Sequence, residues 1–361
     1  MNELEAARLE INKVDKELAE LFERRMKAVE SVAKYKIENG LPVFDASREA
    51  EIIKRNTEYI SEERFKEYYI NFLKDTMDVS KRYQRRLMNG MRVAYSGVEG
   101  AFGHIAAKGA FPDACLISYP DFKDAYAAVE RGECDSAVLP IENSYAGDVG
   151  AVMDLIFSGS LYINAITDVP VVHNLIAVKG ATLADIKTVT SHPQALSQCA
   201  EYIKKRDLGE LPATNTAVAA KKVAEMNDKS VAAIASAETA ELYGLDVLET
   251  GINSSRNNTT RFAVFSRTQN LPNPTAKTNE HFILVFTVKN EAGALAKTLD
   301  IIGAYRFNMR NLRSRPMKEL MWSYYFYVES DGNINTANGR EMLTALGATC
   351  DKLKLVGTYR S

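Results

Sequence analysis

The chain has 361 residues, enough for two or three domains. Its 45 lysine and arginine residues face 47 acidic ones for a net charge of −2, so no global field draws it to nucleic acid or a membrane surface, and affinity for anions must be local. The acidic start MNELEAARLE lacks an apolar signal core, no apolar run is long enough to span a bilayer, and four scattered cysteines without a CxxC pair fit reduced thiols in a cytoplasm.

Residues 1 to about 89 read as helix throughout. The first helix stops near Asn39-Gly40 and Pro42, a second runs from about Ser47 towards Ile60, and a third carries Phe65, Tyr68, Phe72, Val79 and Tyr83 on one face. From Met91 the pattern changes to short strand-like pieces (MRVAYSG, SAVLPIENS, IKTVTSHPQ, SVAAIASAE, TTRFAVFS) separated by helical runs, which predicts an α/β region over 91–267 with its chemistry in strand-end loops. A Pro/Asn/Thr-rich linker, TQNLPNPTAKTN, closes that region. The remainder, 279–361, reads strand, helix, strand, strand, helix, strand, the ferredoxin-like α+β order.

The first helix poses a physical question. At 3.6 residues per turn, Leu4, Ile11, Val14, Leu18, Phe22, Val29 and Val32 form one apolar stripe, expected to face the core. Arg25 and Lys36 fall on the same stripe, roughly 20° apart in projection. Burying an unpaired cation costs several kcal/mol, so each needs an anion. Either an acidic residue on a neighbouring helix pairs with them, or a dianionic ligand sits between the helices. Arg8 lies at the edge of the stripe, too far along to share a small ligand with both unless a second, antiparallel copy supplies it. Ser80 and Gln84, one turn apart, present a polar pair on the third helix.

Arg8, Arg25, Lys36, Asp45, Arg48, Glu49, Ser80 and Gln84 occur in the order and spacing of the active site of the all-helical chorismate mutases, and ERRMKAVESVAKYK…LPVFDASREAEI resembles that family throughout. The resemblance implies a three-helix domain over 1–89, an intertwined dimer, and rearrangement of chorismate to prephenate. Arg25, with Arg8 from the second copy, would hold the two carboxylates. Lys36 and Gln84 would donate to the ether oxygen, with Glu49 and Lys36 near the ring hydroxyl and Asp45, Arg48 and Ser80 lining the pocket. A pericyclic shift needs no nucleophile, proton transfer or cofactor, only a compressed conformer and donors at the breaking bond.

Between Met91 and Arg267 four pieces stand out: YSGVEGAFGH, PIENS, SHPQALSQC and NNTTRF. The first spaces its glycines GxxGxxG, with Glu99 where a dinucleotide fingerprint needs glycine. Taken singly the others read as turns and strand ends. Together they resemble the prephenate dehydratases, whose hallmark is Thr-Arg-Phe. The resemblance implies two α/β lobes, like a periplasmic binding protein, around a cleft. There Thr260 would protonate the departing hydroxyl, Arg261 would bind a carboxylate and Phe262 would shape the pocket, with Glu142, Asn143, Ser191 and Gln198 as lining. The glycine loop departs from the family: Val98, Ala101 and Gly103 replace a proline and two hydroxyl residues, leaving backbone N–H groups at the helix start for anchoring.

The carboxy-terminal region resembles an ACT domain, with Gly293, Ala294 and Leu295 in its glycine-containing loop and Arg313, Ser314, Arg315 and Pro316 in its second motif, where arginine replaces the usual first glutamate. Phenylalanine is the expected effector; a dimerisation module without a ligand is the alternative. The whole then reads as a cytoplasmic, cofactor-free and metal-free bifunctional enzyme, a homodimer or homotetramer. A mutase fused to prephenate dehydrogenase would need GxGxxG in the right context, which is absent. A mutase joined to a non-catalytic amino-acid sensor would not need the TTRF and PIENS clusters.

Overall fold

The computed structural model describes residues 2–255, 257–275, 279–317 and 323–360. The chain divides into two compact units, Met1–Arg92 and Val93–Ser361.

Three helices make the first unit: α1 (Glu3–Glu38), α2 (Ala46–Thr57) and α3 (Glu63–Asn89). Asn2 opens α1 with a reciprocal capping box to Glu5. At its end Leu41 N–H turns back to the Lys36 carbonyl (2.9 Å), and Pro42 follows, which cannot continue a helix. Asp45 caps α2, accepting from Arg48 N–H at 2.9 Å. α1 and α3 run in the same direction, since Arg25 meets Thr76 and Ser80 while Glu30 meets Tyr83.

The expected core stripe of α1 needs correction. Leu4, Ile11, Val14, Leu18, Phe22 and Val32 are each 43–57 % exposed, and on this helix only Val29 and Ala33 are buried. A helix about 54 Å long outruns what two partners of its own chain cover, and residues 2–24 are all exposed. α3 packs by residues other than the aromatic ones at its start. It buries Leu73, Met77, Ser80 and Gln84, while Phe65, Tyr68 and Phe72 face outwards.

The second unit opens with β1 (Arg92–Ser96), α4 (Phe102–Ala110), β2 (Cys115–Tyr119), α5 (Phe122–Glu130), β3 (Ser136–Asn143), β4 (Gly147–Asp148), α6 (Gly150–Ser158) and β5 (Tyr162–Pro170). The chain then crosses into a second lobe: β6 (Asn174–Ala177), β7 (Thr188–Ser191), α7 (Pro193–Gln198), α8 (Ala200–Lys205), β8 (Gly209–Pro212), α9 (Thr216–Met226), β9 (Val231–Ala235), α10 (Ala237–Tyr243) and β10 (Asp246–Glu249). It returns through β11 (Thr259–Ser266), which lies between β5 and β3. The second lobe has its own sheet, ordered β10-β6-β9-β7-β8, and its own apolar core around Leu175, Ile176, Val189, Ala220 and Ile234. Short apolar runs such as VAAIA on β9 bury every residue, as strands covered on both faces do.

The chain ends with β12 (Glu280–Thr287), α11 (Ala294–Ala304), β13 (Met309–Pro316), β14 (Tyr324–Asp331), α12 (Ala337–Gly347) and β15 (Lys352–Arg360). These four strands pair in the order β13-β14-β12-β15 and join the first lobe edge to edge, β15 against β5. Gly357 makes that seam possible, because a Cβ there would lie 1.9 Å from the Ile163 carbonyl oxygen. One apolar core runs across the junction, with Ile283, Val285, Tyr327, Val356 and Tyr359 packed among Leu139, Met153, Ile163 and Phe265. The linker lies along the last module: the side chains of Asn333 and Asn335 donate to the carbonyls of Asn273 and Pro272, while residues 276–278 fall outside the described residues.

Candidate active sites

In the helical unit the two cations that interrupt the stripe stand about 16 Å apart along α1 and meet different partners. Arg25 is half-buried, and its guanidinium donates to the Ser80 hydroxyl and the Thr76 carbonyl. Burial pulls it below its ordinary pKa, yet an arginine stays charged. Lys36 Nζ donates to the Val43 carbonyl at 2.6 Å. Neither cation has a carboxylate partner among the described residues, whereas nearby Lys81 pairs with both Glu49 (2.8 Å) and Asp78 (2.7 Å). Gln84, one turn beyond Ser80, is buried and its Oε1 has no partner. A buried amide oxygen left unpaired costs roughly 1–3 kcal/mol, so this unit holds both unpaired charge and unmet hydrogen-bonding capacity among its described residues.

The other expected residues stand differently. Glu49 is occupied by Lys81. Arg48 is exposed and pairs with Glu51 on its own helix at 2.8 Å, and Asp45 serves as a helix cap. Arg8 is exposed and about 25 Å along α1 from Arg25, so within one chain it cannot share a small ligand with Arg25.

In the second unit a cavity of about 470 Å³ opens between the lobes. Thr260, Phe262 and Asn143 line it from the first-lobe sheet, and His173, His192, Gln198 and Thr216 from the second lobe. Asn143 Nδ2 donates to Thr260 Oγ1 at 2.9 Å and to Asn258 Oδ1 at 2.8 Å, and Asn143 Oδ1 accepts from the N–H groups of Tyr145 and Ala146. Asn258 Nδ2 donates to Gln198 Oε1 at 3.0 Å. His173 Nε2 lies 2.8 Å from the same oxygen, which only accepts, so Nε2 carries the proton and the buried, unpartnered Nδ1 is a lone-pair site. Burial lowers the pKa of His173 and keeps its ring neutral. Because Thr260 Oγ1 already accepts from Asn143, its own proton is left to point elsewhere, with no acceptor among the described residues.

No arginine or lysine is among the described residues lining this cavity. What converges instead are helix starts: Ala101, Phe102 and Gly103 at α4, Val149 before α6, and Asn215 and Thr216 at α9. α4 and α6 have no side-chain cap, so their first N–H groups are free for an anion.

One expected carboxylate-binding residue, Arg261, and two expected lining residues, Glu142 and Ser191, are corrected. Arg261 and Glu142 are register partners on the opposite face of the sheet from Thr260 and Asn143, because neighbours along a strand point to opposite sides. Arg261 pairs with Glu329 (2.9 Å), Glu142 (3.4 Å) and Asp168 (3.8 Å). Burial opposes its charge, but the Glu329 carboxylate outweighs that and holds the guanidinium above its usual pKa. Ser191 is fully buried, donating to the Ile234 carbonyl at 2.6 Å as part of the second-lobe core. Conversely, His173 and Asn258 belong to the site although the sequence motifs give neither a role. A lone histidine between apolar residues in VVHNLIAV was the available signal for the first.

In the last module Leu295 lines a separate cavity of about 370 Å³ with Met317, Tyr324 and Phe326, and Gly293 and Ala294 begin α11 beside it. Arg313 and Arg315 are corrected. Strand alternation turns both towards the first lobe, where Arg313 binds Glu142 and Asp148, and Arg315 lies 3.6 Å from Asp154. Ser314 and Pro316 face outwards.

Against known proteins, the family model for chorismate mutase type II matches residues 7–85 and that for prephenate dehydratase residues 93–270. The bifunctional chorismate mutase/prephenate dehydratase of Buchnera aphidicola subsp. Schizaphis graminum is 31 % identical over 384 residues, covering 100 % of this chain and 97 % of that protein. The prephenate dehydratase of Arthrobacter aurescens, solved with L-Phe, has a TM-score of 0.69 at 29 % identity over 75 % of this chain and 90 % of that one. GqqA, described as a novel type of quorum-quenching acylase, has the same TM-score at 31 % identity over 75 % and 98 %. With both halves matched and a relative aligned end to end, the chain belongs to the family of bifunctional chorismate mutase/prephenate dehydratases.

Proposed function

We propose that the chain carries two consecutive activities of phenylalanine biosynthesis. The helical unit rearranges chorismate to prephenate, and the cavity between the lobes decarboxylates and dehydrates prephenate to phenylpyruvate. The observation that carries the reading is the joining, in one chain, of two cations that have no carboxylate partner among the described residues to a cavity that no described arginine or lysine lines and that a threonine hydroxyl faces.

In the first reaction one C–O bond of an ether breaks while a C–C bond forms. Arg25 binds a carboxylate of the substrate. Lys36 and Gln84 aim hydrogen-bond donors at the ether oxygen as its bond weakens, a Gln amide presenting donor or acceptor according to its rotation. Ser80 steers Arg25. Asp45 and Arg48 set the start of α2, and Glu49 meets the ring hydroxyl when Lys81 shares it. Arg8 of the partner subunit completes the carboxylate grip in a homodimer. The solvated half of α1 supports that assembly: Leu4, Ile11, Val14, Leu18, Leu21 and Phe22 are about half exposed, and full burial of one such side chain contributes roughly 1.5–3 kcal/mol.

In the second reaction the ring hydroxyl leaves as water and the bond to the ring carboxylate supplies the electron pair that makes the ring aromatic, releasing carbon dioxide. Thr260 protonates the departing oxygen; Asn143 occupies its lone pair and so directs its proton outwards. Phe262 shapes the wall. Gln198 and Asn258 fix Asn143 through the chain of amides that ends at His173. The starts of α4, α6 and α9 meet the substrate carboxylates through backbone N–H groups. Chorismate added to the purified chain yields phenylpyruvate, followed by its absorbance in alkali. Prephenate accumulation alone would refute the second assignment, and no consumption would refute the first.

The carboxy-terminal module is an ACT domain whose effector is L-phenylalanine. The Leu295 cavity is the candidate pocket, a reading supported by the L-Phe in the Arthrobacter aurescens relative. Calorimetric titration with L-phenylalanine gives saturable heat; a flat trace would leave the module a structural one.

A further inference from the structure

The β3–β4 hairpin carries an electrostatic problem. Glu142 on β3 is the direct register partner of Asp148 on β4, and the next pair is Asn143 with Gly147. Two carboxylates directly opposed across an antiparallel pair repel. Arg313, reaching from β13 of the carboxy-terminal module, answers both: Nη2 lies 2.5 Å from Glu142 Oε1, and Nη1 binds Asp148 Oδ1. Its own orientation is secured, with Nε donating to Asn311 Oδ1 at 3.0 Å and the guanidinium 5.7 Å from the Tyr327 ring centroid. Little of the Arg313 side chain is exposed, so this pair is screened less than a surface one. Arg261 touches Glu142 only at 3.4 Å and is otherwise committed to Glu329.

The same hairpin builds the cavity. Gly147 and Asp148 line its wall, and Asn143, one register pair from the opposed acids, donates to Thr260 Oγ1. If the hairpin splays, the Asn143 amide leaves the threonine hydroxyl.

We propose that Arg313 is a positioning residue for the cavity. As the shared counter-ion of Glu142 and Asp148, it lets the hairpin close and so holds Asn143 on Thr260, making the carboxy-terminal module a working part of the dehydratase site. This rests on the reading of that cavity as the place of dehydration. A planar fork suits the task, since it reaches two carboxylates at once where an ammonium is a single point charge.

The test uses the full chain, with mutase and dehydratase turnover measured on each variant. Arg313→Gln keeps a stem over Tyr327 and removes the charge. It lowers dehydratase kcat by about 10- to 100-fold, the scale for a catalytic group moved by about an ångström, and leaves mutase kcat unchanged. Adding Glu142→Gln to Arg313→Gln removes the repulsion and restores most of the loss, which mere weakening of the fold would not do. Arg313→Lys alone loses severalfold in dehydratase kcat and nothing in mutase kcat, and it carries the test should Arg313→Gln not fold. Wild-type dehydratase kcat in either single variant overturns the proposal, as does a loss that Glu142→Gln fails to relieve. Thr260→Val is the control for the reading beneath: if it keeps full turnover, the cavity assignment has failed, whereas an inactive Thr260→Val beside a fully active Arg313→Gln defeats only the role of Arg313.

Discussion

The helical unit and the inter-lobe cavity meet the same kind of ligand, a small dicarboxylate, by opposite means. In the first, charge comes from side chains: Arg25 and Lys36 sit on a helix face with no carboxylate partner among the described residues. In the second, no described arginine or lysine lines the cavity, and the groups there that can meet an anion are backbone N–H groups at the starts of α4, α6 and α9. The chemistry explains the division. A rearrangement that moves no proton gains from fixed charges at the breaking bond. A reaction that must protonate one oxygen and expel a carboxylate gains from a weakly acidic hydroxyl, and strong cations would hold back the carboxylate that leaves. Backbone dipoles bind without that penalty, since each helix end amounts to about half a charge.

The largest effects separate the two halves of this comparison. Thr260→Val removes the proposed acid at nearly constant shape and lowers dehydratase kcat by about 10²–10⁴-fold, the range for general acid catalysis. Mutase turnover in the same sample is unchanged. Lys36→Ala does the reverse, costing about 10²–10³-fold in mutase kcat, the scale for one lost transition-state donor, and sparing the dehydratase. Circular dichroism reports an intact helical fold in both. A loss of both activities in either variant would mean that the two sites are not independent, and the comparison would break there.

How far these sites were legible in the sequence depended on which period carried them. Arg25 and Lys36 are visible because they interrupt an apolar helical stripe, and neither has a carboxylate partner among the described residues. The stripe itself misled. Helical periodicity identifies an apolar face but not what covers it, and in the single chain the first half of α1 is exposed. In the α/β unit the strand-end pieces were correctly located, since TTRF and PIEN lie on adjacent strands β11 and β3. A motif read as a unit implies one face for all its residues, which a strand does not provide. Strand alternation sends Thr260, Phe262 and Asn143 to the cavity and Arg261 and Glu142 to the other side. The same rule turns Arg313 and Arg315 towards the first lobe, away from the Leu295 cavity. The helix starts that surround the cavity come from three separate places in the chain, and no local spacing could have announced their convergence.

The smallest effect tests the backbone half of the comparison directly. Gly103 stands in the first turn of α4, and a Cβ there would come within 2.9 Å of the Ser96 carbonyl oxygen. That contact is with backbone at the end of β1, so a rotamer change cannot relieve it; the start of α4 must move off the strand. Gly103→Ala therefore displaces N–H groups at the cavity without adding or removing a charge. If they grip a substrate carboxylate, KM for prephenate rises, with kcat/KM down by about tenfold, the mild end of what misplacing a binding group costs. Mutase kinetics stay as they were. The solvent-side control is Gly109 on the same helix, where a Cβ meets nothing within 4 Å, and Gly109→Ala leaves both reactions alone. Were Gly103→Ala equally silent, the carboxylates would be held elsewhere, and the contrast between side-chain charge and helix dipole would lose its second term.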